Sequence, residues 1–264
     1  MTDLSMISRP IAEELGCFET FFGQEMSAQS QPLAAILAHV KSRNGKQLRP
    51  MLVLLCAKML GEVNETTYRA ATFVEMLHTA TLIHDDVVAE SDSRRGLASV
   101  NAEWDNQTAV LAGDYLLAKA MLLMARPDTY NLLNEMLRTA ASMSEGELVQ
   151  NQKRGEKLCE ADYLDIITRK TAVLLRACCV AGAMSVGTDE PTLQRVSDFG
   201  LHLGIVFQMR DDILDDESPE CVAYAKALID HHLEMALSHL DALPVSVCRD
   251  ALRELTVFCA KREQ

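Results

Sequence analysis

Aromatic residues, glycine and proline are all scarce in this chain. Only 5% of its 264 residues are aromatic, and it contains 12 glycines and 7 prolines. Sheets favour aromatic and β-branched side chains, whereas the apolar content here comes mainly from Leu, Ala, Met and Val, of which all but Val favour helices. The composition therefore predicts an all-α protein and argues against a sheet protein.

Segments that would direct the chain to or across a membrane are also missing. No uncharged apolar run is long enough to span a bilayer. Residues 1–4 do not begin a basic segment followed by an apolar stretch, so no signal peptide is predicted. The eight cysteines show no paired C-x-x-C spacing, which favours reduced thiols and a cytoplasmic location.

Positive charge is the scarcer sign. Lys and Arg number 25 against 38 Asp and Glu, giving a net charge of −13. An acidic surface repels phosphate backbones, so nucleic acid is not an expected partner. A chain of this charge that binds an anionic substrate must gather its few cations locally.

Helical periodicity runs almost without interruption, with no low-complexity linker and no repeat of fixed period. Two stretches, from about 65 to 88 and from 196 to 214, are apolar nearly all round, as expected of helices at the centre of a bundle. We predict one all-α domain over residues 1–264, a single large helical bundle with a central cavity.

Two clusters of acidic residues follow these two stretches. They comprise Asp85, Asp86, Glu90 and Asp92, and Asp211, Asp212, Asp215 and Asp216. A single acidic run is more often a solvated helix end. Two such runs after buried helices are harder to explain as solvated helix ends. Carboxylates at a helix C-terminus oppose the helix dipole, and they are costly to bury without a cation. Oxygen-rich clusters suit Mg²⁺, which is usually bound by carboxylates and substrate phosphates.

Helical spacing places Asp211 and Asp215 on one face, and Asp86 and Glu90 on another. Asp92 would return to the face of Asp85 if the first helix continued that far. His84 precedes Asp85, but Mg²⁺ prefers oxygen, so we expect this histidine to pack or to donate a hydrogen bond.

The cations occur in short groups that suit phosphate. Lys46 and Arg49 precede a helix, Arg94 and Arg95 follow the first acidic cluster, and Lys170 lies beside Thr171 in a mostly apolar stretch. Taken singly, each is most simply an ordinary surface cation; their proximity to the aspartates indicates an enzyme that handles a diphosphate.

In its motifs the chain resembles the trans-isoprenyl diphosphate synthases, especially the long-chain, octaprenyl-like polyprenyl type. The similar strings occur in the family's order and cover most of the chain: GKQLRP (45–50), EMLHTATLIHDDVVAESDSRRG (75–96), LAGDYLLAKA (111–120), EGELVQ (145–150), TRKTA (168–172) and GIVFQMRDDILDD (204–216). As a set, motifs in this context are far more specific than any one match.

The resemblance implies a Mg²⁺-dependent condensation of isopentenyl diphosphate with an allylic diphosphate such as farnesyl diphosphate. It implies Mg²⁺ ligation by Asp85, Asp86, Asp211, Asp212 and Asp215. It implies isopentenyl diphosphate binding by Lys46, Arg49, His78 and Arg95, and allylic diphosphate binding by Arg94, Lys170, Thr171 and Gln208. Asp85, Asp86, Lys170 and Asp211 would be the catalytic residues.

The resemblance also assigns product length to the residues just upstream of the first aspartate motif. Bulky aromatics at the fourth and fifth positions before it block elongation in the family, whereas Thr81 and Ala80 stand there in this chain, with Leu77 a turn deeper. A long-chain product is therefore expected. Close helix packing is the other explanation for small residues at these positions.

Two departures from the family's pattern stand out. Ala89 replaces the last aspartate of DDxxD, which should weaken Mg²⁺ binding unless Glu90 or Asp92 compensates. The loop and helical segment that the family has after about residue 217 are absent. The shortening is explained by a natural deletion, by an engineered one, or by a mobile lid that the numbering omits, and we favour the last.

The resemblance implies a homodimer, and a greasy product would bring peripheral contact with membranes. Ala89 and the short connection after about residue 217 support a second hypothesis, in which the protein is a non-catalytic or weakly active subunit of a heteromeric prenyl synthase. A class I terpene cyclase would leave Lys46, Arg49 and Arg95 without a role, and a helical interaction protein would leave the acidic helix ends without a ligand.

Overall fold

The computed structural model describes residues 4–42, 47–94, 96–215 and 218–262. Within these residues the fold is all-α, as predicted, apart from a two-stranded antiparallel hairpin in which β1 (Ser93–Arg94) pairs with β2 (Leu97–Ala98). The hairpin follows the first acidic cluster, so it brings Arg94 back towards that cluster.

Thirteen α-helices are numbered here in chain order over the described residues. They are α1 (Leu4–Ile7), α2 (Ala12–Glu25), α3 (Gln31–Lys41), α4 (Leu48–Leu60), α5 (Glu65–Val88), α6 (Val100–Glu103), α7 (Asn106–Met124), α8 (Tyr130–Gln152), α9 (Glu160–Ile167), α10 (Val173–Ser185), α11 (Glu190–Leu214), α12 (Pro219–Asp241) and α13 (Val247–Lys261). Short 3₁₀ turns occupy Arg9–Ile11 and Pro127–Thr129, and a π-helical segment, Thr168–Ala172, joins α9 to α10.

Helix α10 lies at the centre of the bundle, where it packs against α4, α5, α8 and α11. Its contact with α4 is close because position 182 is glycine; a Cβ there would lie 2.3 Å from the carbonyl oxygen of Val53. Cys178 and Cys179 are fully buried in this core, as expected, and all eight cysteines are free thiols.

The two long helices predicted from apolar runs are present. Asn64 begins α5 with a capping box in which its side chain accepts from the Thr67 amide and the Thr67 hydroxyl accepts from its backbone. Helix α11 begins at Glu190, six residues before the apolar run, because Asp189 caps it and Pro191 suits its first turn.

The first acidic cluster does not continue as a helix, so the predicted shared face of Asp86 and Glu90 is wrong and the condition for returning Asp92 to the face of Asp85 is not met. Helix α5 ends at Val88, and Glu90 has a left-handed φ of 50°. Glu90 therefore does not share a helical face with Asp86, and Asp92 does not return to the face of Asp85. Glu90 and Asp92 are both exposed beyond the helix end.

The expectation of a lid omitted from the numbering is also wrong. The full sequence has 264 residues, numbered without a break between α11 and α12. Ser218 caps α12 by accepting from the Cys221 amide, so the second helix starts almost at once. The connection is therefore truly short in this chain.

Among the described residues, no single helix is long and apolar enough to cross a bilayer. By length and composition only, the segments Asn106–Met124 and Pro127–Gln152 would be so together, with a bend of 101° between them.

Histidines of α11 and α12 contact one another where these two helices pack together. Nδ1 of His202 lies 2.8 Å from Nδ1 of His232, so one ring must donate and the other must accept. His239 stacks on His202 at 5.7 Å between ring centroids, and its Nδ1 lies 4.0 Å from a carboxylate oxygen of Asp198. His231 packs edge-on against His232. The paired rings can bond only while at least one of them is neutral.

We expect acid to weaken this contact. Burial and the neighbouring His202 lower the pKa of His232 to about 4, and burial and His239 lower the pKa of His202. The unfolded chain, with ordinary histidine pKa values near 6.5, binds more protons in this range. The free energy of unfolding should therefore fall as the pH drops from about 6.5 towards 4.

Urea unfolding at pH 7 and pH 5 tests this prediction, and His232→Gln should flatten the loss of stability between the two. The exposed neighbour variant His231→Gln should keep most of it. An equally steep loss in both variants would show that other groups cause the acid sensitivity.

Candidate active site

The first wall of the site is the C-terminal end of α5 with the hairpin behind it. Asp86 is only 1% exposed, and its Oδ1 accepts a hydrogen bond of 2.7 Å from Nε of Arg94. Gly96 turns the hairpin with a φ of 78°, a conformation that favours glycine. The sequence prediction that Arg94 lies beside the first aspartates is thus supported by a direct ion pair.

Asp85, next to Asp86, is partly exposed and lies among charged groups of three other segments. Burial, followed by the negative charge of Glu147, raises the pKa of Asp85, while Lys170 and Arg94 act in the opposite direction. Glu147 lies on α8, and Lys170 on the segment between α9 and α10. Charges of α8 and of the Lys170 segment, which pack against each other, therefore act on a carboxylate at the end of α5.

The Lys170 segment is π-helical, which sequence reasoning missed. π-Bulges are often found at functional sites because the extra residue displaces the side chains around it. Nζ of Lys170 lies 2.6 Å from a carboxylate oxygen of Glu147 and donates to Oε1 of Gln150 at 2.7 Å. Gly146 lets α8 approach; a Cβ there would lie 2.8 Å from the Lys170 backbone nitrogen.

The second acidic cluster ends α11. Both oxygens of the buried Asp212 accept hydrogen bonds, one of 2.6 Å from the hydroxyl of Tyr163 and one of 2.8 Å from the side-chain amide of Gln208. Asp215 is the exposed C-cap residue, and its amide donates to the Asp211 carbonyl. Asp211 and Asp215 thus share a face, as the spacing predicted.

Asp211 forms an ion pair with Arg262, a contact between residues 51 positions apart that sequence reasoning missed. The guanidinium of Arg262 also lies over the ring of Phe207, 4.3 Å from its centroid. Burial raises the pKa of Asp211, and the positive charges of Arg262 and Arg49 oppose the rise. Arg49, in the first turn of α4, is therefore within electrostatic range of the second cluster.

A cleft of about 720 Å³, including the space open to solvent, lies between α2, α3 and α5. Its polar rim includes His78, Asp86 and Arg94, and its wall is formed by apolar side chains: Phe18, Phe22, Met26, Val40, Leu82 and Ile83. Asp86, Arg94 and His78 are thus brought together, whereas none of the second acidic cluster lines this particular cleft. Lys46 and Arg95 lie outside the described residues.

The three residues predicted to set product length lie on other faces of α5. Leu77 and Ala80 are each 1% exposed, and Thr81, half-buried, donates to the His78 carbonyl. None of them lines the cleft described above. Their role stays a prediction.

His84 packs against α7, in agreement with the predicted packing or hydrogen-bonding role. Its Nε2 lies 3.2 Å from the carbonyl oxygen of Val110 and 3.5 Å from a carboxylate oxygen of Asp114. Gly113 makes room for the ring, since a Cβ there would lie 2.2 Å from Nε2.

Among the residues that the structure describes, no three His, Cys, Asp or Glu side chains converge into a ready-made metal site. Mg²⁺ rarely needs such a cage, because one or two carboxylates and substrate phosphates usually suffice. Asp85 and Asp211 are partly buried carboxylates with raised pKa values, which a cation would stabilise in their charged form. The donor set therefore fits Mg²⁺ bound together with a phosphate-bearing ligand.

Comparisons with known proteins agree with this geometry. Residues 30–228 match the Polyprenyl synthetase family. The all-trans-nonaprenyl-diphosphate synthase (geranyl-diphosphate specific) of Rhodobacter capsulatus is 38% identical over 211 residues, which cover 79% of this chain and 65% of that protein. The heptaprenyl diphosphate synthase component 2 of Geobacillus stearothermophilus is 28% identical over 311 residues, covering 96% of this chain and 97% of that one.

A solved structure has the same fold over nearly the whole chain. The polyprenyl synthase of Caulobacter crescentus CB15, complexed with calcium and isoprenyl diphosphate, gives a TM-score of 0.87 at 27% identity and covers 99% of this chain and 98% of that one. The 311-residue alignment with the heptaprenyl synthase component exceeds the 264 residues of this chain, so that relative has positions without a counterpart here. This chain belongs to the polyprenyl synthetase family.

Proposed function

We propose that this protein is a Mg²⁺-dependent prenyltransferase. It condenses isopentenyl diphosphate with an allylic diphosphate, such as farnesyl diphosphate, and releases a long-chain all-trans polyprenyl diphosphate and pyrophosphate. The observation that carries the proposal is the pair of ion pairs that hold cations near the first aspartates, Arg94 with Asp86 and Lys170 with Glu147, whose charges act on the partly buried Asp85. Family membership supports the same reaction class.

The metal would be held by aspartates of both acidic clusters: Asp85, Asp86, Asp211, Asp212 and Asp215. Bound there, Mg²⁺ supplies positive charge to the diphosphate leaving group. Oxygen donors of this kind are the ligands that Mg²⁺ prefers. Asp86 and Asp212 already accept hydrogen bonds from Arg94 and from Tyr163 and Gln208.

The basic residues divide between two diphosphates in this proposal. Arg94, Lys170, Thr171 and Gln208 bind the allylic diphosphate, and Lys46, Arg49, His78 and Arg95 bind isopentenyl diphosphate. Lys170 and Arg94 are held in place by Glu147 and Asp86, respectively. A diphosphate would meet a lysine and an arginine whose positions are already fixed, which reduces the entropy lost on binding.

Chemistry at the site then depends on positioning. The C–O bond of the allylic substrate breaks with its electron pair going to the pyrophosphate. The double bond of the neighbouring isopentenyl group attacks the resulting cation, and a proton is lost to the released pyrophosphate. Holding the two substrates in contact supplies much of the rate. No side-chain nucleophile takes part.

Incubation of the purified protein with Mg²⁺, labelled isopentenyl diphosphate and farnesyl diphosphate tests the proposal. An extended prenyl diphosphate made by this protein alone supports it. A cyclic hydrocarbon made from the allylic substrate alone would identify a cyclase instead and would refute the proposal.

A second candidate is a component of a heteromeric synthase. Two observations favour it: Ala89 stands where the family has an aspartate, and a relative that aligns along 97% of its own length is called a component. In the same assay, product that forms only after a second protein is added would favour this reading.

We also propose a homodimer formed through the surface of α7. Leu111 and Leu122, eleven residues apart on one face of that helix, are 61% and 73% exposed, and Val110 beside them is 40% exposed. Leu122→Glu should therefore halve the mass measured by analytical ultracentrifugation. Val247→Glu, at an equally exposed valine on α13, should leave it unchanged. A dimer that persists in both variants would require a different interface.

Cytoplasmic location and peripheral membrane contact remain predictions.

Product length offers a test of the residues upstream of Asp85. Ala80→Phe should shorten the products, because an aromatic ring would block the path of the growing chain. Since Ala80 is buried, overpacking should also destabilise the fold by about 1–3 kcal/mol. Chromatography of dephosphorylated products measures the lengths, with Val247→Phe as the surface control. Unchanged products would mean that Ala80 does not line the path.

A further inference from the structure

Tyr163 has no part in the function proposed above, yet its hydroxyl lies in the second acidic cluster. It donates a hydrogen bond of 2.6 Å to Oδ2 of Asp212, and Gln208 donates one of 2.8 Å to Oδ1. Tyr163 is 2% exposed and Asp212 is 7% exposed. Hydrogen bonds from neutral donors to a carboxylate are charge-assisted and hold it firmly. With a donor on each oxygen, Asp212 has a fixed orientation.

The ring of Tyr163 is fixed as well. It packs in an apolar cluster with Ile205 and Met209 of α11, and its centroid lies 6.0 Å from that of Tyr224 on α12. The hydroxyl therefore reaches Asp212 from a rigid position on α9. A flexible surface tyrosine could not orient a buried carboxylate in this way.

The position of Tyr163 along the chain gives this bond its significance. Lys170 and Thr171 follow on the π-helical segment that continues from α9, while Asp211 adjoins Asp212 at the end of α11. Gly204 brings the two elements close, because a Cβ there would lie 2.5 Å from the Cα of Ala172. The Tyr163–Asp212 hydrogen bond is thus a polar link between the helix of Lys170 and the helix of Asp211.

We propose that Tyr163 is a positioning residue: through Asp212 it fixes the Asp211 end of α11 relative to Lys170, so that carboxylate and ammonium act on the same diphosphate. The inference rests on the proposed function for its substrate. Besides the metal ligation proposed above, it assigns Asp212 an anchoring role that Asp211 and Asp215, neither of which is buried to the same degree, do not share.

Tyr163→Phe removes the hydroxyl and keeps the ring. We expect the Mg²⁺ concentration for half-maximal activity and the KM for farnesyl diphosphate to rise roughly tenfold, as for other groups that orient metal ligands. The KM for isopentenyl diphosphate should not change. The matched control is Tyr224→Phe, since the hydroxyl of Tyr224 donates a long 3.4 Å bond to the Leu158 carbonyl and does not touch Asp212.

A binding measurement separates this inference from the proposed function. Calorimetric titration of Mn²⁺ in the presence of inorganic pyrophosphate should show roughly tenfold weaker binding in Tyr163→Phe and unchanged binding in Tyr224→Phe. That result supports the inference even if the wild-type protein makes no prenyl product. If Tyr163→Phe fails to fold, Tyr163→Met gives the same test, because it also lacks the hydroxyl, fills the apolar cluster around position 163 and leaves Asp212 unchanged.

Three outcomes would overturn the inference. One is unchanged binding and kinetics in a folded Tyr163→Phe protein. Another is an equal rise in all three constants, including the KM for isopentenyl diphosphate, which would indicate a general structural defect. The third is a wild-type protein that binds no Mn²⁺ with pyrophosphate, since there would then be no site to position.

Discussion

Asp85→Asn is expected to lower kcat by about a thousandfold while leaving the protein folded. The substitution keeps the shape of the side chain and removes the charge that would help to hold the metal on the leaving diphosphate. Loss of a metal contact of this kind removes several kcal/mol of transition-state stabilisation, and each ~1.4 kcal/mol changes the rate tenfold.

Stability should respond in the opposite direction to activity. Burial and the charge of Glu147 disfavour the ionised form of Asp85, so a neutral side chain relieves a cost that the folded protein carries without its metal. The thermal midpoint of Asp85→Asn without Mg²⁺ should therefore equal or exceed that of the wild type, and added Mg²⁺ with pyrophosphate should raise it less.

Asp92→Asn is the matched control, because Asp92 belongs to the same acidic run but is exposed beyond the end of α5. Its kcat should stay within about twofold of the wild-type value, as expected for a surface change. A kcat within tenfold of wild type for Asp85→Asn would show that the first aspartate does not contribute to the chemistry as proposed.

The contrast between Asp85 and Asp92 also shows where sequence reasoning is reliable. Apolar runs identified α5 and the later part of α11, because a helix that is buried on all sides is apolar at nearly every position of its sequence. The end of α5 was misjudged because helical spacing cannot show where the chain turns, here through the left-handed Glu90. Extrapolating the helix therefore wrongly placed Glu90 on the same face as Asp86.

Contacts between segments distant in the chain could not be predicted from the sequence. The Arg262–Asp211 ion pair and the Tyr163–Asp212 hydrogen bond join residues 51 and 49 positions apart, and neither has a motif that marks it. The π-helical segment at Lys170 was missed for a related reason. Its extra residue is accommodated by neighbouring helices, and Gly146 on α8 supplies the space.

The position of Arg94 beside the first aspartates was predicted correctly, because Arg94 follows Asp86 closely in the chain and the hairpin needs only a short turn to bring them together. Lys170 required the family resemblance to be placed near the first cluster, and its charge does act on Asp85. Contacts between residues close in the sequence could thus be predicted, whereas contacts between helices distant in the sequence could not.

Ala89→Asp is expected to strengthen Mg²⁺ binding and to raise activity at low Mg²⁺. Ala89 is the exposed C-cap residue of α5, and its amide donates to the Asp85 carbonyl at 2.8 Å, so it lies one turn beyond Asp85. A carboxylate at this position would give the metal a second oxygen ligand near Asp85. The Mg²⁺ concentration for half-maximal activity should fall about tenfold.

The same substitution should cost a little stability, because a negative charge at a helix C-terminus opposes the dipole by roughly 0.3–1 kcal/mol. Ala89→Asn separates the two effects: it has the same shape, lacks the charge and should leave the Mg²⁺ dependence near that of the wild type. Equal Mg²⁺ dependence in Ala89→Asp and Ala89→Asn would contradict the prediction.

The outcome also distinguishes the two functional candidates. If the wild-type protein is a synthase weakened by its missing aspartate, Ala89→Asp alone should make it a more active one. If it is a component that needs a second protein, the added carboxylate should tighten Mn²⁺ binding with pyrophosphate but yield no product until that protein is present. Metal affinity would then rise without a rise in turnover, because the new aspartate supplies a metal ligand but does not replace the missing second protein.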